Sequence, residues 1–304
     1  LFLSIVCLFL SQTIFAQEWH SINTKSEESY STKLIKSTNE SVVIDLSLNG
    51  FYTNQTSLPN SVIITNEDMA PLSEAGQPNI PSLSIPIIIN DMGKMDVRVS
   101  KVEYLEYNDI EIAPSKGEFP RSINPDDVPY TYGDVYQQNE FFPATNVKLD
   151  SPYILRDFRA QNIIVTPFAY NPVTKTLKVL HKMTIEVIST KEEGENELAR
   201  RSNTINMDSE FEKMYSNRFI NYKESGAKYD IIEEEGDLLI ICHDAFMSAM
   251  QPFVEWKRAT GRNTTIVGTS VAGTSADNIK NYITSQYEDN PNLVHVLLVG
   301  DYQQ

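Results

Sequence analysis

The chain has 304 residues, 41% of them hydrophobic and 22% charged, with a formal net charge of -16. That length has room for two domains, and the composition is that of a folded protein rather than a disordered one. The acidity leaves no basic stripe to displace phosphate counterions, which excludes a nucleic-acid partner; it favours solubility and does not dictate the fold.

Residues 1–10 are an apolar run, and Thr13-Ile14-Phe15-Ala16 places a small residue ahead of Gln17. This is the pattern of a secretory leader, too short to cross a bilayer. Cleavage between Ala16 and Gln17 and an exported product are expected. No charged region precedes the run, so the sequence is expected to open inside the leader. No later stretch suits a transmembrane segment. Cys7 departs with the leader, leaving Cys242 alone and no disulfide framework.

From residue 17 to about 190 the pattern has period two. Strands are expected at 42–48, 61–64 and 96–102, with 162–165 and 176–188 as a pair around the turn Tyr170-Asn171-Pro172-Val173-Thr174-Lys175. Leu177, Val179, His181, Met183, Ile185 and Val187 fall on one face of the last strand. Prolines such as Pro78, Pro86 and Pro120 punctuate the region and disfavour long helices. An antiparallel β-sandwich or barrel-like domain follows. Residues 191–197 read as a charged surface linker. Residues 207–222 read as an amphipathic helix with Phe211, Met214, Tyr215 and Phe219 on one stripe, able to dock on either neighbouring domain.

From Asp237 to Gln304 the order is strand, helix, strand, helix, strand, the signature of parallel α/β units. Pro252 is expected to start the first helix and Gly261 to end it, with Thr274 or Ser275 capping the second. Chemistry in such sheets gathers beyond the carboxyl ends of the strands. Cys242 and His243 are neighbours on a strand and point to opposite faces, so Cys242 reads as a buried apolar residue and not as half of a dyad. His181 and His295 read as core or edge histidines, His20 adjoins the processed N-terminus with no partner visible in the sequence, and none has metal-ligand spacing. Asp301, after Val299-Gly300, sits where a carboxylate binds a cation or a substrate group; capping a turn or helix is an equally weighted role. Calcium is the ion expected of an exported protein. Asp126-Asp127 and Glu233-Glu234-Glu235 read as solvated faces, and no glycine pattern marks a nucleotide site.

Three blocks carry a resemblance. Gln251-Pro252-Phe253-Val254-Glu255-Trp256-Lys257-Arg258-Ala259-Thr260-Gly261, the helix beginning Ser275-Ala276-Asp277-Asn278-Ile279, and Val296-Leu297-Leu298-Val299-Gly300-Asp301 together resemble the gingipain-like cysteine peptidases, family C25. Gly76-Gln77-Pro78-Asn79-Ile80-Pro81 and Val165-Thr166-Pro167-Phe168-Ala169-Tyr170-Asn171-Pro172 are similar to two blocks of that family's propeptide. The resemblance implies an α/β plus all-β chain. An antiparallel β-sandwich-like propeptide (17–190, with linker and helix at 191–228) would precede the truncated start of a caspase-like parallel α/β catalytic domain (229–304).

It further implies a secreted cysteine endopeptidase zymogen. A Cys–His dyad beyond Gln304 would act on a protein or peptide substrate, and a propeptide–catalytic domain interface would keep the enzyme latent. Asp301 corresponds to a calcium ligand, and Lys228-Tyr229 to the processing junction, a basic position on a polar stretch suited to nicking. Arg200-Arg201 is a second candidate for nicking. Two rival readings are an exported binding module with a vestigial α/β part and a sortase-like relative in a bacterial secretion system.

Overall fold

The computed structural model describes residues 17–24, 26, 28–72, 74–199, 205–224, 229–232, 236–290 and 292–301. Ala16 with the rest of the leader, Arg200-Arg201, Lys228 and Glu233-Glu234-Glu235 lie outside them. The chain divides into two units, Leu1–Ala199 with Phe219–Gly226, and Arg200–Arg218 with Ala227–Gln304.

The first unit is antiparallel β. Its strands are β1 (Gln17–Ser21), β2 (Tyr30–Ser37), β3 (Ser41–Leu48), β4 (Gly50–Gln55), β5 (Val62–Thr65), β6 (Ala70–Pro71), β7 (Pro81–Ile88), β8 (Met95–Tyr107), β9 (Val147–Leu149), β10 (Tyr153–Leu155), β11 (Phe158–Val165), β12 (Phe168–Asn171) and β13 (Thr176–Ser189). One five-stranded sheet runs β12-β13-β3-β2 with β8 on β13; another runs β10-β11-β7-β6 with β9 on β11; β1-β4-β5 form a third. Alternation explains the core. Ile44 and Leu46 of β3, Ile85 and Ile87 of β7, Ile163 and Val165 of β11, and Val179 and Ile185 of β13 enter one hydrophobic cluster, each burial contributing about 1.5–3 kcal/mol.

Two expectations are corrected here. Strand β13 pairs across its turn with β12, not with the segment at 162–165, which pairs with β7 and β9 in the other sheet. Pro167, lacking an N–H, falls in the break between β11 and β12, and its carbonyl accepts the N–H of Leu180 instead. His181 leaves the core stripe because the register slips beside Leu180 and Lys182; its ring lies 3.8 Å from Glu103. The stretch at 191–197, expected as a charged surface linker, is largely exposed and is tied to the first unit by hydrogen bonds. Buried Arg159 donates to the carbonyls of Asn90, Gly93 and Glu195. Glu197 accepts the N–H groups of Gly93 and Gly194.

The second unit holds β14 (Ile205–Asp208), α1 (Ser209–Arg218), β15 (Tyr229–Ile232), β16 (Asp237–Cys242), α2 (Met247–Ala259), β17 (Thr264–Gly268), α3 (Thr269–Ala272), α4 (Ala276–Asp289) and β18 (Leu293–Val299). The sheet β17-β16-β18 is wholly parallel, with β16 central and buried on both faces. A separate parallel pair joins β14 to β15.

The helix expected at 207–222 is shorter. Met207 lies in a strand, α1 ends at Arg218, and Phe219–Gly226 belongs to the first unit. Helix α2 begins at Met247, so Pro252 lies inside it rather than at its start; a short turn over Asp244–Phe246 leads into the helix five residues earlier. Gly261, at φ 94, follows the end of α2, and the Ser275 hydroxyl caps α4 by accepting the N–H of Asn278. No helix among the described residues is long and apolar enough to cross a membrane.

Candidate functional site

The carboxyl ends of the three parallel strands bring together Cys242-His243-Asp244, Gly268-Thr269-Ser270 and Val299-Gly300-Asp301. Cys242 is buried, and its thiol donates to the carbonyl of His243 at 3.3 Å. Burial, and then the Asp244 charge, push that thiol upward. An activated nucleophile needs the opposite shift. The Nδ1 of His243 accepts the N–H of Ala245 at 3.3 Å, and its backbone N–H donates to the carbonyl of Val299 at 2.8 Å. These two residues are a strand end and a turn cap.

Asp244 was not singled out by sequence, yet it is the best-held carboxylate here. It accepts the Ser270 hydroxyl at 2.8 Å, the Ser270 N–H at 3.0 Å and the Thr269 hydroxyl at 3.2 Å. The Ser270 bond, with further help from Thr269 and His243, holds its carboxyl below the usual range. It therefore ties the exit of β16 to the exit of β17. The signal available in sequence was a carboxylate after one strand end and a Thr-Ser pair after the next. Asp301 is exposed behind Gly300, at the mouth of the same edge. No group of three or more His, Cys, Asp and Glu able to hold a metal occurs among the described residues.

A second cluster lies at α1. Glu210 places Oε2 3.0 Å from Nε2 of His295 on β18 and Oε1 3.7 Å from the guanidinium of buried Arg262. The Phe211 ring stacks on the His295 imidazole at 5.9 Å, and buried Tyr215 lies behind it, 6.0 Å from Phe211. His295 thus faces a carboxylate and a ring, where the sequence suggested an ordinary strand histidine. Of the other expected site residues, Gln17 opens β1 and Tyr229 opens β15.

Comparison with known proteins gives two family matches in tandem. The C25 propeptide model matches residues 24–228, and the model of peptidase family C25 matches residues 231–304. Gingipain R1 of Porphyromonas gingivalis is 34% identical over 279 residues, which cover 89% of this chain and 28% of that protein. Gingipain R2 of the same organism is 35% identical over 254 residues, covering 82% of this chain and 34% of its own length. The chain therefore spans about a third or less of the curated relatives it matches. Among solved structures, the complex of Porphyromonas gingivalis RgpB pro- and mature domains aligns with a TM-score of 0.58 at 33% identity, covering 64% of this chain and 97% of that chain.

Proposed function

The chain belongs to peptidase family C25, and on that premise we propose that the whole protein is a secreted cysteine endopeptidase made as a zymogen. The observation that carries this reading is the tandem order on one chain: a propeptide match over a β-sandwich, then a peptidase match over a parallel sheet. The sandwich and the residues that follow it up to 228 serve as the inhibitory propeptide, and the parallel sheet opens the catalytic domain. Cys242, buried and with its thiol pushed upward, is not its nucleophile, which this reading assigns to the part of the enzyme that the chain does not span. In the whole enzyme a thiolate attacks the scissile carbonyl of a protein or peptide substrate, with histidine as acid and base.

The leader is removed between Ala16 and Gln17, giving an extracellular or surface product, and the chain is processed between Lys228 and Tyr229. Asp301 contributes one carboxylate to a structural calcium site. Full-length protein should hydrolyse peptides, lose activity to a thiol-directed reagent, and keep it in Cys242→Ala. Activity indifferent to thiol reagents, or abolished by Cys242→Ala, would refute the assignment.

A further inference from the structure

Residues 205–218 lie within the propeptide match, yet they fold with the parallel strands of the catalytic unit. The register of β14 on β15 runs from Ile205 opposite Tyr229 to Asp208 opposite Ile232. Helix α1 then sets Glu210 against His295 and buried Arg262, and Phe211 on the His295 ring. One peptide bond later the chain is back in the sandwich. Phe219 and Tyr222 pack on Phe158, and the Asn221 amide bonds both backbone atoms of Ile88. The propeptide thus lends a strand and a helix to the catalytic unit and is fastened to its own sandwich directly afterwards.

We propose that residues 205–218 are the anchor that keeps the propeptide seated after the Lys228–Tyr229 bond is cut, and that β15, Arg262 and His295 form the receptor surface for it. The inference rests on the processing reading given above. That scission breaks none of the contacts just described; it only converts an intramolecular association into a bimolecular one. Retention then depends on how well the receptor holds a strand followed by a Glu-Phe pair, a form of strand addition with side-chain keys. Glu210 matters because it offsets a buried cation. Reversing its charge sets a cation against both Arg262 and His295.

The test uses full-length protein, wild type and with Phe211→Ala, Glu210→Lys or Met214→Ala, the last an exposed position on α1. After processing, N-terminal sequencing identifies the cut, circular dichroism checks folding, and gel filtration with timed sampling follows loss of the 17–228 piece. Wild type and Met214→Ala should co-elute with their propeptide, while Phe211→Ala and Glu210→Lys should release it at least about tenfold faster. Equal retention in all four would overturn the anchor. Should Glu210→Lys fail to fold, Glu210→Gln replaces it, with the same release expected and equal retention again counting against the anchor. If no chain begins at Tyr229, the processing reading fails; a site-specific protease sequence inserted after Lys228 then makes the same cut, and the release rates decide the anchor separately.

Discussion

The side-chain amide of Asn221 accepts the N–H of Ile88 at 2.8 Å and donates to its carbonyl at 2.9 Å, across 133 residues of sequence. One side chain here does the work of a neighbouring strand at the end of β7. Asn221→Ala leaves two buried backbone groups without these bonds. It should destabilise the protein by about 2–4 kcal/mol in urea unfolding. A change below about 0.5 kcal/mol would mean the edge finds water or another partner.

From a buried position Arg159 ties the strap at 190–198 to the chain at Asn90 and Gly93, donating to the carbonyls of Glu195, Asn90 and Gly93. Arg159→Met should cost about 3 kcal/mol and make the strap the first site of limited proteolysis. Unchanged cleavage order would show that the strap is held by other bonds.

Strap protection should also depend on pH. The N–H groups of Gly93 and then Gly194 hold the Glu197 carboxyl below its ordinary value. A carboxylate depressed in the folded state stabilises it fully above the unfolded pKa, about 4.3. That contribution is lost as pH falls through the lower folded value. Hydrogen exchange in 190–198 should therefore accelerate below about pH 4, beyond the intrinsic rate, and Glu197→Gln should flatten the profile.

Gly268 has no room for a methyl group, because a Cβ there would run into Oδ1 of Asp244. Gly268→Ala should push Asp244 from Ser270 and Thr269 and lower stability by about 1–3 kcal/mol, read as a drop in Tm. Thiol titration adds a check on the same edge. Cys242 should stay unreactive in native protein and react only on unfolding.

Much of this fold was legible in sequence because alternation and helix caps are local signals. Residues 176–188 declared a strand by their apolar alternation, and Ser275 declared a cap. What failed was non-local. Pairing of 162–165 with β7 rather than β13 depends on the break at Pro167, and the split of the 207–222 helix depends on Phe219 finding Phe158. Asp244 escaped notice because its partner Ser270 is 26 residues away on another strand end. The ties of the strap were not legible because its charge pattern does not reveal that Arg159, buried on a distant strand, donates to the Glu195 carbonyl.

The most direct measurement is inhibition of the processed enzyme by its own propeptide. Full-length protein is processed to a chain beginning at Tyr229, freed of residues 17–228, and assayed for peptide hydrolysis with purified 17–228 added back. Latency through the propeptide predicts saturable loss of activity at concentrations comparable to the enzyme's. Full activity in a large excess of folded propeptide would contradict it.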